Sequence, residues 1–318
     1  MTDKTKVAVI GSGFIGRAWA IVFARGGCDV TLWDKDTGAA EAAIGYIGEV
    51  VDDLIRGDLV NGQSAATIMG RLRAEQDLST AMGGARHIQE NAPENLDIKR
   101  ALLSELDGLA DADAIIASST SALLPSRLSE ELAGRDRFVV AHPINPPYLV
   151  PAVEIVPAPW TSEETMNRTS TFMNECGQAP IVMGRELDGF IMNRLQGALL
   201  EEAFRLVADG YASVEDVDVG IREGLALRWS FMGPFETIDL NAPGGVADYV
   251  DRYQSIYANI YKQTTHRVDW AGDVLKTVEG DRRKCLDKSD LEKRQQWRDR
   301  RLMALVAHKR QSNEEFGK

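Results

Sequence analysis

Short apolar runs alternate with helix-forming stretches along roughly the first 180 residues of the chain. Residues 7–10, 87–90, 114–117 and 153–156 are short enough for strands, and segments with helical composition lie between most of them. Strands of this kind are typical of a sheet that is covered on both faces. The alternation therefore predicts an α/β fold whose core is a doubly wound parallel sheet.

The pattern changes between residues 184 and 189, and no further strand is predicted beyond that point. Residues 190–208 carry apolar side chains on two sides of a helix, which is typical of a central helix. We therefore expect residues 1–187 to form the sheet domain and residues 188–318 to form an all-helical domain. Near the end, residues 290–309 predict a surface-lying amphipathic helix.

The first predicted strand leads into GSGFIG, which holds Gly11, Gly13 and Gly16 in the G-x-G-x-x-G spacing. The first glycine permits a tight turn, the second leaves room for a pyrophosphate, and the third lets the helix pack closely on the strand. The free N–H groups at the start of the helix then face the anion. Asp34 follows at the distance expected of a carboxylate that binds a ribose 2′-hydroxyl, so the motif indicates NAD rather than NADP.

The loop after residues 87–90 has the sequence NAPENLDIK. A loop at the carboxyl end of a strand lies over the ligand crevice of an open parallel sheet. Glu94 and Lys99 are therefore expected to meet the ribose and nicotinamide end of the cofactor. The start of a capped surface helix is the structural alternative for the same residues.

Four polar side chains stand where polarity needs an explanation: Ser121, His142, Glu154 and Asn193. His142 ends a strand and Glu154 is flanked by apolar residues, so we expect a buried carboxylate that pairs with the imidazole and makes it a general base. Ser121, at an adjacent strand end, is suited to bind a reacting oxygen. Asn193 lies in an apolar helix stripe and needs a partner. Each of the four alone has a structural alternative, such as a turn cap or an arginine pair.

Composition narrows the class of protein. The net charge of −12 and the pI of about 4.9 argue against nucleic acid, because phosphate binding needs a basic footprint. Cys28, Cys176 and Cys285 are widely spaced, so neither a disulfide framework nor a metal site is expected. Without a recognisable signal peptide or long apolar run, we expect a cytoplasmic enzyme that acts on a small molecule, away from membranes.

The motifs GSGFIG, QENAPENLDIK, SSTS, AHPINPP, VEIV and GFIMNRLQ occur in this order. Together they resemble the L-3-hydroxyacyl-CoA dehydrogenase superfamily. The longer stretches AHPINPPYLVPAVEIVP, GLALRWSFMGPFETIDLN and RQQWRDRRLM resemble its λ-crystallin branch, which includes L-gulonate 3-dehydrogenase. The resemblance runs from residue 7 to about residue 303. Asn91 departs from the family, which has an apolar residue at this position.

The resemblance implies roles for particular residues. His142 would act as the base, Glu154 would orient it, and Ser121 and Asn193 would bind the reacting oxygen. The residues implied at NAD are, besides the glycines, Phe14, Ile15, Asp34, Glu94 and Lys99. The resemblance also implies that the helical domain forms a homodimer and closes the cleft.

The chemistry that follows is oxidation of a secondary alcohol at the β-carbon of an acid, most simply of L-gulonate to 3-dehydro-L-gulonate. A free carboxylate calls for a cationic clamp, for which Arg228 is the candidate. A 3-hydroxyacyl-CoA or carnitine is the alternative substrate. Trp229 and Phe231 are compatible with an aromatic cage that binds the quaternary ammonium group of carnitine. A non-catalytic, crystallin-like structural protein is the alternative of another class, although the four catalytic residues are intact.

Overall fold

The structure, a computed structural model, describes residues 4–317 of the chain. These residues divide into two compact units. Met192–Trp297 form the second unit, and the described residues before and after this segment form the first.

The first unit contains eight strands and the helices that connect most of them. Its strands are β1 (Lys6–Ile10), β2 (Asp29–Trp33), β3 (Leu72–Ala74), β4 (His87–Glu90), β5 (Ile115–Ser118), β6 (Phe138–Pro143), β7 (Ala152–Pro157) and β8 (Ala179–Val182). Its helices before the second unit are α1 (Phe14–Arg25), α2 (Ala39–Arg56), α3 (Ala65–Met69), α4 (Leu78–Met82), α5 (Leu96–Leu109), α6 (Pro125–Ser129) and α7 (Glu163–Glu175).

The strands form one sheet in the order β3-β2-β1-β4-β5-β6-β7-β8. All neighbouring pairs are parallel except β6 and β7, which run antiparallel. The connection between these two strands, residues 144–151, has no helix, and a parallel crossover needs a longer connection. The predicted doubly wound sheet is therefore confirmed, with one antiparallel pair that the sequence analysis did not predict.

Apolar residues cover both faces of the central strands. All the residues of β4, β5 and β6 are buried, as is nearly all of β1, which explains why strands in the middle of the sheet have no solvent-facing polar alternation. Helix α1 packs against this sheet, and most of its residues after Arg17 are buried. Trp19 and Phe23 of α1 stack with their ring centroids 5.1 Å apart. The Gly-rich turn is thus anchored between two rigid elements.

The regular elements of the second unit are all helices among the residues that the structure describes. Its helices are α8 (Met192–Ala208), α9 (Val214–Val219), α10 (Ala226–Trp229), α11 (Pro234–Leu240), α12 (Gly245–Gln263) and α13 (Asp273–Cys285), and α14 (Leu291–Phe316) begins in it. Helix α8 begins two residues later than predicted, and it is not a buried central helix within this chain. Leu195 is 61% exposed, and Leu199 and Leu200 are 38% and 36% exposed. The first half of α8 therefore leaves large apolar side chains uncovered in a single copy of the chain.

The end of α14 belongs to the first unit, whereas the sequence analysis assigned the whole tail to the second domain. Met303 is buried and packs with the core that includes α1 and α2. Arg310 binds the backbone carbonyl and the carboxylate of Asp58, just after α2. The apolar side of the predicted amphipathic helix thus covers the sheet unit.

No helix among residues 4–317 has the length and apolar character that crossing a bilayer requires. Across the same residues, no cluster of histidine, cysteine and acidic side chains is arranged to hold a metal ion. Cys28 and Cys176 are buried thiols, and Cys285 is an exposed one.

Candidate active site

The turn between β1 and α1 has the backbone geometry that its three glycines require. Gly11 adopts a φ of +89°, and a Cβ there would lie 3.0 Å from the backbone carbonyl of Asn91. A Cβ on Gly16 would lie 1.8 Å from the carbonyl oxygen of Gly11, so only glycine fits. A Cβ on Gly13 would meet no described atom within 4 Å, which leaves open space at the start of α1. This combination fits a pyrophosphate placed at the N–H groups of the helix.

Phe14 and Ile15 form the first turn of α1, directly after that open space. Phe14 is 44% exposed, although it is a large apolar residue, and Ile15 is half-buried. Both predicted cofactor contacts therefore lie at the accessible end of the helix.

Asp34 follows β2 and is held by the same turn. Its Oδ2 accepts hydrogen bonds from the backbone N–H of Ser12 at 2.7 Å and from the Ser12 hydroxyl at 2.8 Å. Partial burial alone would raise the pKa of Asp34, but the hydrogen bonds from Ser12 and from the amide of Asp36 outweigh it and lower the pKa. The group stays an anionic acceptor. Ser12 lies within the glycine motif itself, and its role was not predicted.

Glu94 connects the loop after β4 to the loop after β5. Its Oε1 accepts hydrogen bonds from the amides of Ser121 and Ala122 at 2.9 and 3.0 Å and from the hydroxyl of Thr120. Its side chain is 41% exposed. Glu94 thus fixes the backbone of the hydroxyl cluster in which Ser121 lies, and Oε2 faces Lys99 at 3.8 Å.

Lys99 lies beneath this loop rather than at its surface, because its side chain is only 1% exposed. Its ammonium group donates to both oxygens of Glu90, at 2.8 and 3.0 Å, and to the carbonyl of Ala92 at 2.9 Å. Three acceptors match the three protons of an ammonium group, so a direct contact with a cofactor would displace one of them. The predicted cofactor contact therefore has the surroundings of a structural residue.

Glu90 is the partner that the sequence analysis missed. It ends β4, it is fully buried, and it also accepts from the amide of Ala92 at 2.6 Å and from the hydroxyl of Ser118. An acid in a strand that is buried on both faces was the available signal, because such a charge needs a buried partner.

His142 and Glu154 form the predicted pair. They stand opposite each other on the antiparallel strands β6 and β7, and His142 Nδ1 lies 2.7 Å from Glu154 Oε2. His142 is 5% exposed and Glu154 is fully buried. The other oxygen, Glu154 Oε1, accepts a hydrogen bond from the backbone N–H of Ile191 at 2.7 Å. A carboxylate cannot donate, so it places the proton of a neutral imidazole on Nδ1 and leaves Nε2 as an acceptor.

The segment that binds Glu154 is unusual in its backbone. Gly189 and Phe190 have φ values of +75° and +48°, and such values are uncommon for a bulky residue such as Phe190. Phe190 is fully buried, and its ring packs against the imidazole of His142 with centroids 5.6 Å apart. Residue 190 was predicted to begin a helix, but it has a left-handed conformation and lies in the first unit, two residues before α8 begins. Backbone strain of this kind often accompanies functional sites.

The remaining predicted residues lie apart from this pair in the chain. Ser121 is exposed in the turn that follows β5. Asn193 lies in the first turn of α8 in the second unit, and it is exposed rather than buried as predicted. Arg228 lies on α10 of the second unit and is also exposed. The structure thus brings His142 and Glu154 into contact, whereas Asn193 and Arg228 belong to the other unit.

The chain matches two family models. The 3-hydroxyacyl-CoA dehydrogenase NAD binding domain matches residues 6–187, and the 3-hydroxyacyl-CoA dehydrogenase C-terminal domain matches residues 189–276. The lambda-crystallin homolog of Rattus norvegicus is 40% identical over 96% of this chain and 96% of its own length. The L-carnitine dehydrogenase of Streptomyces griseus subsp. griseus is 41% identical over 79% of this chain and 74% of its own length.

A solved structure has a similar fold over the whole chain. It is that of 5-formyl-3-hydroxy-2-methylpyridine 4-carboxylic acid 5-dehydrogenase, described as an NAD+-dependent dismutase. The two chains superpose with a TM-score of 0.82 at 26% identity, over 97% of this chain and 98% of the other.

Proposed function

The chain belongs to the 3-hydroxyacyl-CoA dehydrogenase family of NAD-dependent oxidoreductases, and we propose that it oxidises the 3-hydroxyl group of a small hydroxy acid. Within that class we propose L-gulonate as substrate and 3-dehydro-L-gulonate as product. The observation that carries the reaction type is the contact of 2.7 Å between the imidazole of His142 and the buried carboxylate of Glu154. The substrate rests on the resemblance of the sequence motifs to the λ-crystallin branch.

The proposed base is Nε2 of His142. Glu154 holds the proton of the neutral imidazole on Nδ1, so Nε2 keeps a lone pair that can accept the proton of the substrate hydroxyl. The imidazolium that results donates a hydrogen bond from its Nδ1–H to the negatively charged carboxylate of Glu154. Because Glu154 is fully buried, little solvent screens this interaction. Glu154 therefore orients the base and stabilises its charged form.

When bound, NAD would accept the hydride from the carbon that carries the substrate hydroxyl. The residues proposed to hold it are Gly11, Gly13 and Gly16 with Phe14 and Ile15 at the start of α1, and Asp34 at the ribose. Glu94 and Lys99 are proposed to act by fixing the loops after β4 and β5.

The substrate oxygen and carboxylate need further partners. We propose that Ser121 and Asn193 donate hydrogen bonds to the oxygen as it becomes a carbonyl, and that Arg228 binds the free carboxylate. Arg228 is exposed on α10, which suits a contact with a ligand that comes and goes. Replacement of Arg228 by lysine separates a bidentate contact from a simple charge, because lysine cannot form the fork.

The test is the formation of NADH over a panel of L-gulonate, L-carnitine, 3-hydroxybutyrate and 3-hydroxybutyryl-CoA. The expected result is the highest kcat/KM for L-gulonate and a loss of turnover of about 10²–10⁴-fold in His142→Gln, which is the usual contribution of a general base. The matched control is His308→Gln, which changes an exposed histidine of α14. Full turnover by the His142→Gln variant would show that His142 is not the base.

Carnitine is the second candidate, and one observation favours it. Trp229 and Phe231 are 40% and 70% exposed, so two aromatic faces of the second unit are open to a ligand. On α12 of the same unit, Tyr249 and Tyr253 pack with their ring centroids 4.6 Å apart. Aromatic faces bind quaternary ammonium groups. A preference for L-carnitine over L-gulonate that is lost in Trp229→Leu would support this candidate instead.

A non-catalytic, crystallin-like role is the alternative of another class. It predicts a stable chain that turns over no member of the panel and binds NAD weakly or not at all. Turnover of any member that depends on His142 would exclude it as the sole function.

We also propose that the chain forms a homodimer through its second unit. Helices α8 and α12 expose large apolar side chains that a single copy leaves uncovered, and exposed apolar surface of this kind is typical of interaction sites. These side chains are Leu195, Leu199, Leu200, Val246, Val250, Ile256 and Ile260. Sedimentation equilibrium should give twice the chain mass, and Leu195→Glu should shift the protein toward the monomer.

A further inference from the structure

A cavity opens at the edge of the sheet where β4 and β5 begin. Its volume is about 340 Å³, and it is lined by residues that include His87, Ile115 and Phe172. His87 is the first residue of β4, whereas Glu90 at the other end of that strand supports the proposed cofactor loop. A strand rises about 3.3 Å per residue, so roughly 10 Å separate the two ends. The cavity is therefore distinct from the proposed active site.

A series of hydrogen bonds leads from the Gly-rich turn after β1 toward this cavity, and each donor in it fixes the acceptor that follows. The side-chain amide of Asn91 donates to the carbonyls of Gln89 and Ile10, at 2.8 and 3.3 Å, so its Oδ1 is left as an acceptor. The Ser119 hydroxyl donates to that oxygen at 2.8 Å. The lone pairs of the Ser119 hydroxyl oxygen then accept hydrogen bonds from Gln89 Nε2 at 2.8 Å and from Trp19 Nε1 at 3.0 Å.

The direction of these hydrogen bonds fixes the tautomer of His87. Because the amide nitrogen of Gln89 donates to Ser119, its Oε1 is the atom that faces His87 Nε2, at 2.9 Å. An amide oxygen only accepts, so Nε2 carries the proton. Burial lowers the pKa of His87 to about 4, so the ring is neutral near pH 7 and Nδ1 is a bare lone pair.

His87 Nδ1 therefore requires a donor. The imidazole is only 2% exposed, and among residues 4–317 no group donates a hydrogen bond to Nδ1. A buried acceptor without a partner is rare and unfavourable in folded proteins. His87 is one of the residues that line the cavity, which makes a molecule bound there the candidate source of the missing N–H or O–H group.

The charged groups of the cavity select an anion of low charge. Arg86 and Arg168 line it, with side chains 58% and 39% exposed, together with one acid, Glu175. Arg86 pairs with the carboxylate of Asp113, whereas Arg168 donates to the backbone carbonyl of Asp113 at 2.7 Å and lies 3.6 Å from Glu164. Both guanidinium groups keep further N–H donors, since each has five. The acids nearby disfavour a polyanion.

We propose that this cavity is a second ligand site and that it binds a small hydroxycarboxylate. The hydroxyl group donates to His87 Nδ1, the carboxylate accepts from Arg168 and Arg86, and Ile115 and Phe172 pack on the carbon chain. The volume is at the small end of the range for ligand pockets and suits a molecule of a few carbons. The ligand belongs to the class proposed as substrate, so the experiment must report on the two sites separately.

The experiment uses the full-length protein labelled with ¹⁵N-histidine. The chain has only four histidines, so the resonances of His87 and His142 are assignable and report on the cavity and on the active site independently. The probes are 3-hydroxybutyrate and butyrate, which differ only in the hydroxyl donor. Saturable movement of the His87 Nδ1 resonance with 3-hydroxybutyrate, and little or none with butyrate, is the expected result.

Arg168→Ala removes one carboxylate partner, and it should weaken the binding seen at His87 by about tenfold or more, as expected for a charge-assisted hydrogen bond. Arg56→Ala removes an exposed arginine on α2 and should leave that binding unchanged. A His87 resonance that stays still with both acids overturns the proposal, as does one that both acids move equally. Movement at His142 alone, with His87 unmoved, therefore also overturns the proposal, and it supports only the proposed substrate class.

Discussion

Replacement of Glu154 by glutamine tests the proposed catalytic pair without changing the size of the side chain. The carboxylate accepts hydrogen bonds of 2.7 Å from Nδ1 of His142 and from the backbone N–H of Ile191. A glutamine offers only one side-chain oxygen, and its amide nitrogen can only donate. The two donors must therefore compete for a single acceptor.

The backbone N–H of Ile191 can only donate, whereas an imidazole can move its proton from one ring nitrogen to the other. The glutamine oxygen should therefore face Ile191, and its amide nitrogen should donate to Nδ1 of His142. The imidazole proton then moves to Nε2, and the proposed base loses its lone pair. The expected loss in kcat is about 10²–10⁴-fold. If the amide turned the other way, a buried N–H would lose its acceptor, and the free energy of unfolding would fall by about 1–3 kcal/mol.

The assay measures kcat at saturating NAD with whichever hydroxy acid of the panel is turned over, and urea denaturation measures the stability of the same samples. Glu131→Gln, an exposed glutamate after α6, is the matched control and should behave as the unchanged protein. A Glu154→Gln protein of unchanged stability with kcat within about tenfold of the control would refute the role assigned to the pair.

Three further predictions concern the sheet unit. Gly16→Ala should destabilise the fold, because a Cβ meets the Gly11 carbonyl, whereas Gly13→Ala should keep its melting temperature and weaken NAD binding by calorimetry. Lys99→Met should lower the free energy of unfolding by about 3–5 kcal/mol, because it leaves Glu90 buried without its cation, and adding Glu90→Gln should restore part of that loss. His87 has a pKa lowered to about 4 by burial, so the unfolded chain takes up its proton first. Stability should therefore be full above about pH 6.5 and fall by about 2 kcal/mol between pH 7 and 5 in urea titrations, and His87→Gln should remove this dependence.

The sequence was sufficient where one residue type has one use. The turn between β1 and α1 could be predicted because its backbone geometry requires glycine at Gly11 and Gly16, whereas the ribose contact of Asp34 stays a prediction. The family and the NAD cofactor predicted from these motifs are confirmed by the matched family models. The contact between His142 and Glu154 is also present, because both residues end up opposite each other on adjacent strands.

The sequence was insufficient where a residue's role depends on a distant partner. Lys99 was expected at the cofactor because its loop lies at the right edge of the sheet, but its ammonium group is buried against Glu90. The role of Asn91 could not be predicted either, because its side chain joins the turn after β1, β4 and Ser119 in one network. The exposed apolar stripes of α8 could not be foreseen either, since periodicity does not tell whether the same chain or another copy covers a helix face.

The acids around the site share a property that their sequence positions do not reveal. Asp34, Glu90, Glu94 and Glu154 each accept at least one backbone N–H of a neighbouring loop or turn. An ionised carboxylate has two oxygens, and both only accept hydrogen bonds. One oxygen can therefore bind a loop while the other orients a second group, as Glu154 orients His142. Acid-to-amide changes at these four positions should therefore move loops as well as remove charge.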